Sequence, residues 1–238
     1  MSKRVLMIVT SNDRLGDTGK TTGLWAEELA APYYALRDAG VEVEVLSPAG
    51  GPVPIDPGSL KPRGENDAVV ERFLADQALQ ALLKSVPQVS EVKDAAGYDA
   101  VFFPGGHGTM WDLPNDAGVQ RVVEQAWAAG RIVASVCHGA AGLVSAKRAD
   151  GKPIVFGRKV NSFTDAEEAA VGLSAAMPFL LETRLRELGG DFQGGPDWQP
   201  FAVVDGRLIT GQNPQSSALV AGHVLDALGV EAAARQAA

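Results

Sequence analysis

The sequence holds one cysteine, Cys137, and His138 follows it at once. Both stand where Arg131-Ile132-Val133-Ala134-Ser135-Val136 gives way to Cys137-His138-Gly139-Ala140-Ala141-Gly142-Leu143. The apolar run predicts a strand buried on both faces, and the segment after it predicts a helix. A thiol on a sharp turn between the two projects from the carboxyl edge of a sheet, where open α/β folds bind ligands. Small residues at 139–141 let the helix approach the strand closely. The free N–H groups and partial positive charge of a helix start favour thiolate over thiol, so a lowered pKa is expected. A buried structural cysteine is the plain alternative, and the elbow context argues against it. His138 is a candidate general acid or base, because an imidazole titrates near ~6.5. A ring held by backbone hydrogen bonds is its other reading.

A second glycine-rich turn, Pro104-Gly105-Gly106-His107-Gly108, ends the run Tyr98-Asp99-Ala100-Val101-Phe102-Phe103. One N–H from this turn and one from the residue after the cysteine could form an oxyanion hole. Glu27 and Glu28 lie on a predicted helix over 22–38. Glu28 stands four residues after apolar Leu24, which places it inward. A buried carboxylate has a raised pKa and can share a proton with a thiolate. By spacing alone, a solvated surface glutamate remains the commoner outcome. Trp25 and Trp111 are candidate pocket walls, with core packing as the alternative. His223, on the last predicted helix, reads as structural.

Stepping outward, the elements alternate. Val5–Val9 is a first buried strand, and 41–46 alternates with period 2 as a more exposed one. Pro32 predicts a kink or break in the 22–38 helix. Helices are predicted over 69–86 and 116–130, the latter with Val119, Val122, Val123 and Trp127 inward. Phe201–Val204 and Leu208–Thr210 flank Asp205-Gly206, a hairpin signal, and Asn213 opens a final helix to Leu228. The alternation predicts an α/β fold with a mostly parallel sheet between helical layers. One domain over 1–238 is expected, with irregular elaborations at 49–67 and 164–200.

Composition narrows the function. Lys+Arg 21 and Asp+Glu 29 give a net charge of −8. The basic clusters are no longer than pairs, which disfavours nucleic acid as a partner. One cysteine and three histidines exclude an internal disulfide and a Cys₄ or Cys₂His₂ zinc site. No apolar run approaches the ~20 residues of a membrane span. The apolar run after the basic start is too short for a signal core. A cytoplasmic location is therefore expected, with no membrane partner, no cofactor and no metal.

Taken together, these motifs resemble the ThiJ/PfpI family of the class I glutamine amidotransferase-like superfamily. Ala134-Ser135-Val136-Cys137-His138-Gly139 and Phe103-Pro104-Gly105-Gly106-His107-Gly108-Thr109 carry the resemblance. Thr22-Gly23-Leu24-Trp25-Ala26-Glu27-Glu28, Trp111-Asp112-Leu113-Pro114, 161–168 and Thr210-Gly211-Gln212-Asn213-Pro214 are similar to its heat-shock-chaperone branch, also called glyoxalase III or D-lactate dehydratase. The resemblance implies a flavodoxin-like three-layer sandwich with a nucleophile elbow. It implies Cys137 as nucleophile, His138 as its partner and Glu28 beside the sulfur. It implies Glu168 as the acidic third member, with Asp165 and Glu167 close enough to compete. Gly106 and His138 would supply oxyanion donors, and His107 matches a histidine of the glycine turn. A homodimer is expected by the same analogy.

The implied activity converts methylglyoxal or glyoxal, a small reactive carbonyl, without glutathione. The thiolate adds to the aldehyde, a proton moves through an enediol, and a thioester is hydrolysed to lactate. The alternatives are a holding chaperone or redox-stress protein, a cysteine peptidase, or a hydratase acting on another small electrophile. A glutamine amidotransferase is disfavoured by the adjacency of Cys137 and His138.

Overall fold

The computed structural model describes residues 2–230. The chain runs β1 (Arg4–Ile8), α1 (Ala26–Asp38), β2 (Glu42–Leu46), α2 (Ala68–Ala75), α3 (Gln77–Leu82) and β3 (Ala100–Phe103). It continues α4 (Thr109–Asp112), α5 (Ala117–Ala128), β4 (Ile132–Val136), β5 (Lys159–Val160) and α6 (Asp165–Ala170). The last elements are α7 (Leu181–Glu187), β6 (Asp191–Phe192), β7 (Ala202–Asp205), β8 (Leu208–Gly211) and α8 (Ser217–Leu228). The main sheet has the order β2-β1-β3-β4-β8-β7. Its neighbours are parallel except β7, which returns antiparallel to β8 through a turn at Gly206-Arg207, one residue past the expected Asp205-Gly206 because Asp205 still pairs with Leu208. β5 and β6 form a small second sheet.

Period-2 geometry sends alternate side chains to opposite faces, and both faces are apolar here. Leu6, Ile8, Val101, Phe103 and Val133 pack with Val119, Val122 and Val123 of α5. Val5, Met7, Phe102, Ala134 and Val136 pack with Leu29 of α1 and with Val220 and Val224 of α8. Each fully buried side chain of this kind contributes about 1.5–3 kcal/mol. This is the flavodoxin-like α/β sandwich expected from the sequence, with β3 and β4 at its centre.

Several element boundaries differ from the sequence reading. α1 starts at Ala26, because Leu24 instead pairs with the 49–67 connection. Its N–H donates to Pro54 O at 2.8 Å, and its carbonyl accepts from Asp56 N at 2.9 Å. Pro32 offers no N–H to the carbonyl four residues back, yet the helix continues through it to Asp38. The single helix predicted over 69–86 is two. Asp76 Oδ1 accepts from Ala78 N and Leu79 N at 3.0 Å each and caps a new helix there. The chain then leaves the helix to pair with 51–53. The segment after the cysteine is a 3₁₀ helix, Cys137–Leu143, rather than an α-helix.

That turn crosses the end of β3 at close range. A Cβ at Gly139 would lie 2.1 Å from Phe103 O. Gly139→Ala is expected to destabilise the fold by about 2 kcal/mol, the usual scale of forced overpacking. Gly222→Ala, in open space on α8, should be neutral or stabilising by up to ~1 kcal/mol. Urea unfolding of the two variants tests the contrast.

Candidate active site

β4 ends at Val136, and Cys137 turns sharply with φ +56. Few residues other than glycine adopt that conformation, and holding it costs about 1–3 kcal/mol. The β3 turn meets it closely. Thr109 Oγ1 lies 2.8 Å from the Gly106 carbonyl oxygen and 2.9 Å from that of His138, so one hydroxyl staples the two turns together. Gly106 has φ +105, and a Cβ there would fall 2.2 Å from Gly23 O. Only glycine fits.

Cys137 Sγ lies 3.3 Å from His138 Nδ1. His138 Nε2 lies 2.7 Å from Glu168 Oε2, and His107 Nε2 lies 3.0 Å from Glu168 Oε1. One carboxylate thus serves two imidazoles. Burial works against its charge, but hydrogen bonds from His107 and His138 prevail and lower its pKa to about 2. Burial first, then His107, lowers the pKa of His138 to about 4. A neutral ring that donates from Nε2 to an ionised Glu168 carries a bare Nδ1. That lone pair faces the sulfur.

Glu28 sits on the other side of the sulfur and is fully buried. Its Oε2 accepts from Gly105 N at 2.8 Å, and the carboxyl lies in hydrogen-bonding contact with Cys137. Burial raises its pKa to about 8, against the lowering effect of these two hydrogen bonds. Its Oε1 has no hydrogen-bond partner. Ionised, that oxygen would sit bare in a dry site, which favours the neutral acid. Burial also pushes the Cys137 thiol up, as would an ionised Glu28. This overturns the expectation that a helix start lowers the thiol pKa. The sulfur is dry, the helix is a short 3₁₀ segment, and the nearest acid competes for the same proton. The backbone N–H of His138 works the other way and donates toward the sulfur.

The cavity above this centre measures about 260 Å³. Cys137, His138, Glu28, Gly106, His107 and Trp25 line it, all of them named from the sequence. Glu168 stands behind the histidines. Trp111 does not reach the cavity and packs against the core on the α5 side of the sheet. Glu27 also lines the cavity half-buried, and burial raises its pKa. His223 lies on α8, away from the lining.

Sequence reasoning missed Phe163 and Trp198. The Phe163 ring centroid is 4.5 Å from that of His138 and 5.6 Å from that of Trp198. Trp198 comes from the irregular 193–200 segment, where no periodicity marks it, and it has φ +60. Phe163 stood inside a quoted motif without a chemical group to draw notice. Of the three competing acids, Glu168 alone reaches His138. Glu167 is fully buried and accepts instead from Thr164 N, Trp198 N, Gln212 Nε2 and Asn213 Nδ2 at 2.8–3.2 Å. Asp165 pairs with Thr183. The donor atoms of His107, His138 and Glu168 all lie within 4.8 Å of one another, so they could hold a metal ion. The counts of cysteine and histidine exclude Cys₄ and Cys₂His₂ sites but do not bear on this set, in which a glutamate fills the third place.

With this geometry in hand, comparison with known proteins is direct. Residues 21–227 match the DJ-1/PfpI family. The chain belongs to that family. Within the wider set of relatives, it is 31% identical to the glutathione-independent glyoxalase HSP31 of Saccharomyces cerevisiae over 95% of this chain and 98% of the yeast protein. The crystal structure of glyoxalase III from Candida albicans superposes with a TM-score of 0.86 at 30% identity, covering 96% of this chain and 98% of that one. The Rapid Encystment Protein of Francisella tularensis superposes with a TM-score of 0.90 at 38% identity, covering 95% and 99%.

The raised pKa of Glu28 has a consequence for stability. The folded state binds this proton more tightly than the unfolded chain does. Stability from Glu28 is therefore full below about pH 4.5 and is lost as pH rises toward about 8. Glu28→Gln should be more stable than wild type by a few kcal/mol at pH 8 and above, with little difference near pH 4.5. Thermal or urea unfolding across this range measures the divergence.

Proposed function

We propose that the protein is a glutathione-independent glyoxalase that converts methylglyoxal and water to lactate. The carrying observation is a lone buried thiol set between a proton acceptor, His138 Nδ1 at 3.3 Å, and a protonatable carboxyl, Glu28. The names of the yeast and Candida relatives support the same reading. His138, oriented by Glu168, takes the thiol proton as sulfur bonds to the aldehyde carbon. The carbonyl electrons move to oxygen, where the N–H groups of Gly106 and His138 receive the charge. Glu28 gives its proton to that oxygen, which completes the hemithioacetal and leaves the carboxylate ionised. Glu28 then removes the hydrogen from that carbon and returns a proton to the neighbouring ketone carbon, through an enediol. A carboxyl with a pKa of about 8 is basic enough for this step and recovers its proton readily near neutral pH.

The product is a thioester on Cys137. Water attacks its carbonyl, sulfur leaves with a proton from His138, and lactate departs. One carbon is oxidised and its neighbour reduced, so no external electron acceptor is consumed. Trp25, Phe163 and Trp198 wall the cavity and keep bulk water from the enediol. Among the described residues no helix is long and apolar enough to cross a membrane. A cytoplasmic location and a homodimer complete the proposal, testable by fractionation and by sedimentation.

Purified protein supplied with methylglyoxal and no glutathione should form lactate. Cys137→Ala should reduce the rate to background. Glu28→Gln and Glu168→Gln should each lose about 10²-fold or more, the scale of a removed acid–base group. An unchanged rate in Cys137→Ala would overturn the mechanism, and absence of lactate from wild type would overturn the activity.

A further inference from the structure

The histidines and the carboxylate behind the sulfur are placed for more than one kind of bond. We propose that His107, His138 and Glu168 form a regulatory site for a divalent ion of the Zn²⁺ type, and that filling it switches the cysteine centre off. The switching rests on the glyoxalase reading; the binding does not.

Geometry comes first. One ring nitrogen from each imidazole and one Glu168 oxygen lie within 4.8 Å of one another. Nitrogen-to-oxygen distances are 3.0 Å from His107 and 2.7 Å from His138. Tetrahedral zinc with bonds near ~2.1 Å holds its donors about 3.4 Å apart, so the carboxylate contacts need to open by less than an ångström. Two imidazoles and one carboxylate match the donor set of three-ligand zinc sites that keep a fourth position open. Packing also holds the rings. His107 lies on His138 with centroids 4.1 Å apart, and His138 lies on Phe163 at 4.5 Å. The ion has a path, because the His107 side chain is 12% exposed and lines the cavity.

Charge points the same way. Of the three buried glutamates nearby, Glu28 keeps its proton and Glu167 is met by amide donors, so Glu168 carries the charge beside the histidines. Among the described residues, neither lysine nor arginine forms an ion pair with any of them. Glu168 is met only by imidazoles. A cation supplies the positive charge this region lacks.

The consequence follows from the His138 tautomer. At rest Nε2 carries its proton toward Glu168, which leaves Nδ1 bare toward Cys137 Sγ. An ion on Nε2 displaces the proton there, and the neutral ring then carries its proton on Nδ1. Metal-bound histidines commonly donate from the second nitrogen in this way. Nδ1 then points a proton at the sulfur and cannot accept one. The base is lost while the cysteine stays in place.

Co²⁺ is a visible stand-in for Zn²⁺. Titrated into full-length wild type and Cys137→Ala, it should bind once per chain in both. Its ligand-field bands should be those of nitrogen and oxygen donors, with no thiolate charge-transfer band. His107→Asn and His107→Ala, checked for folding by circular dichroism, should bind it at least about tenfold more weakly. Zn²⁺ should suppress lactate formation by wild type, and a chelator should restore it. A charge-transfer band in wild type that vanishes in Cys137→Ala would put the ion on sulfur and overturn the proposal. So would undiminished binding by folded His107→Asn. Cobalt binding as described, in a chain that forms no lactate, would uphold the site and overturn only the glyoxalase reading.

Discussion

Everything at this centre depends on a proton that Glu28 and Cys137 contend for in a dry cavity. Two ionisable groups in contact, both out of water, cannot both carry negative charge without a cation to compensate. No lysine or arginine pairs with Glu28 among the described residues. Burial therefore raises the carboxyl to about 8 and pushes the thiol up as well, so near neutral pH both groups keep their protons. The same constraint explains the division of labour. Glu168 has two histidine partners and stays ionised, whereas Glu28 has none and keeps its proton.

The fold exists around that arrangement. Parallel strands buried on both faces end at one edge, so β3 and β4 deliver their two turns side by side. The cysteine turn is strained at φ +56, and strain of this kind persists only where its surroundings over-determine it. Those surroundings are the Gly139 approach to Phe103, the Thr109 staple and the carboxyl of α1. Glu167 performs the corresponding task for the outer wall, gathering donors from 164, 198, 212 and 213. Adjacent acids on one short helix thus face two ways: Glu168 inward to the histidines, Glu167 toward the loops that carry Trp198.

Much of this was legible in the residues. The β-branched run before Cys137 and the glycine turn at 104–108 located the site because buried strands and glycine turns are local properties. Spacing from Leu24 and the resemblance both pointed to Glu28 rather than Glu27 as the inward carboxyl. What stayed hidden was non-local. The start of α1 at Ala26 depends on pairing between Leu24 and the 54–56 segment, which no helical propensity reports. Trp198 occupies the cavity because a buried glutamate holds its backbone, and nothing in 193–200 signals that. The error over thiol acidity has a similar origin. A helix start argues for thiolate, but three-dimensional burial beside an acid outweighs it.

The central claim, a neutral Glu28 at physiological pH, can be read directly. Infrared difference spectra of wild type against Glu28→Gln isolate the stretch of one protonated carboxyl among the chain's 29 acidic side chains. The band should persist at pH 7 and titrate away near pH 8. Its absence at every pH above about 5.5, well within the ordinary carboxylate range, would contradict the account.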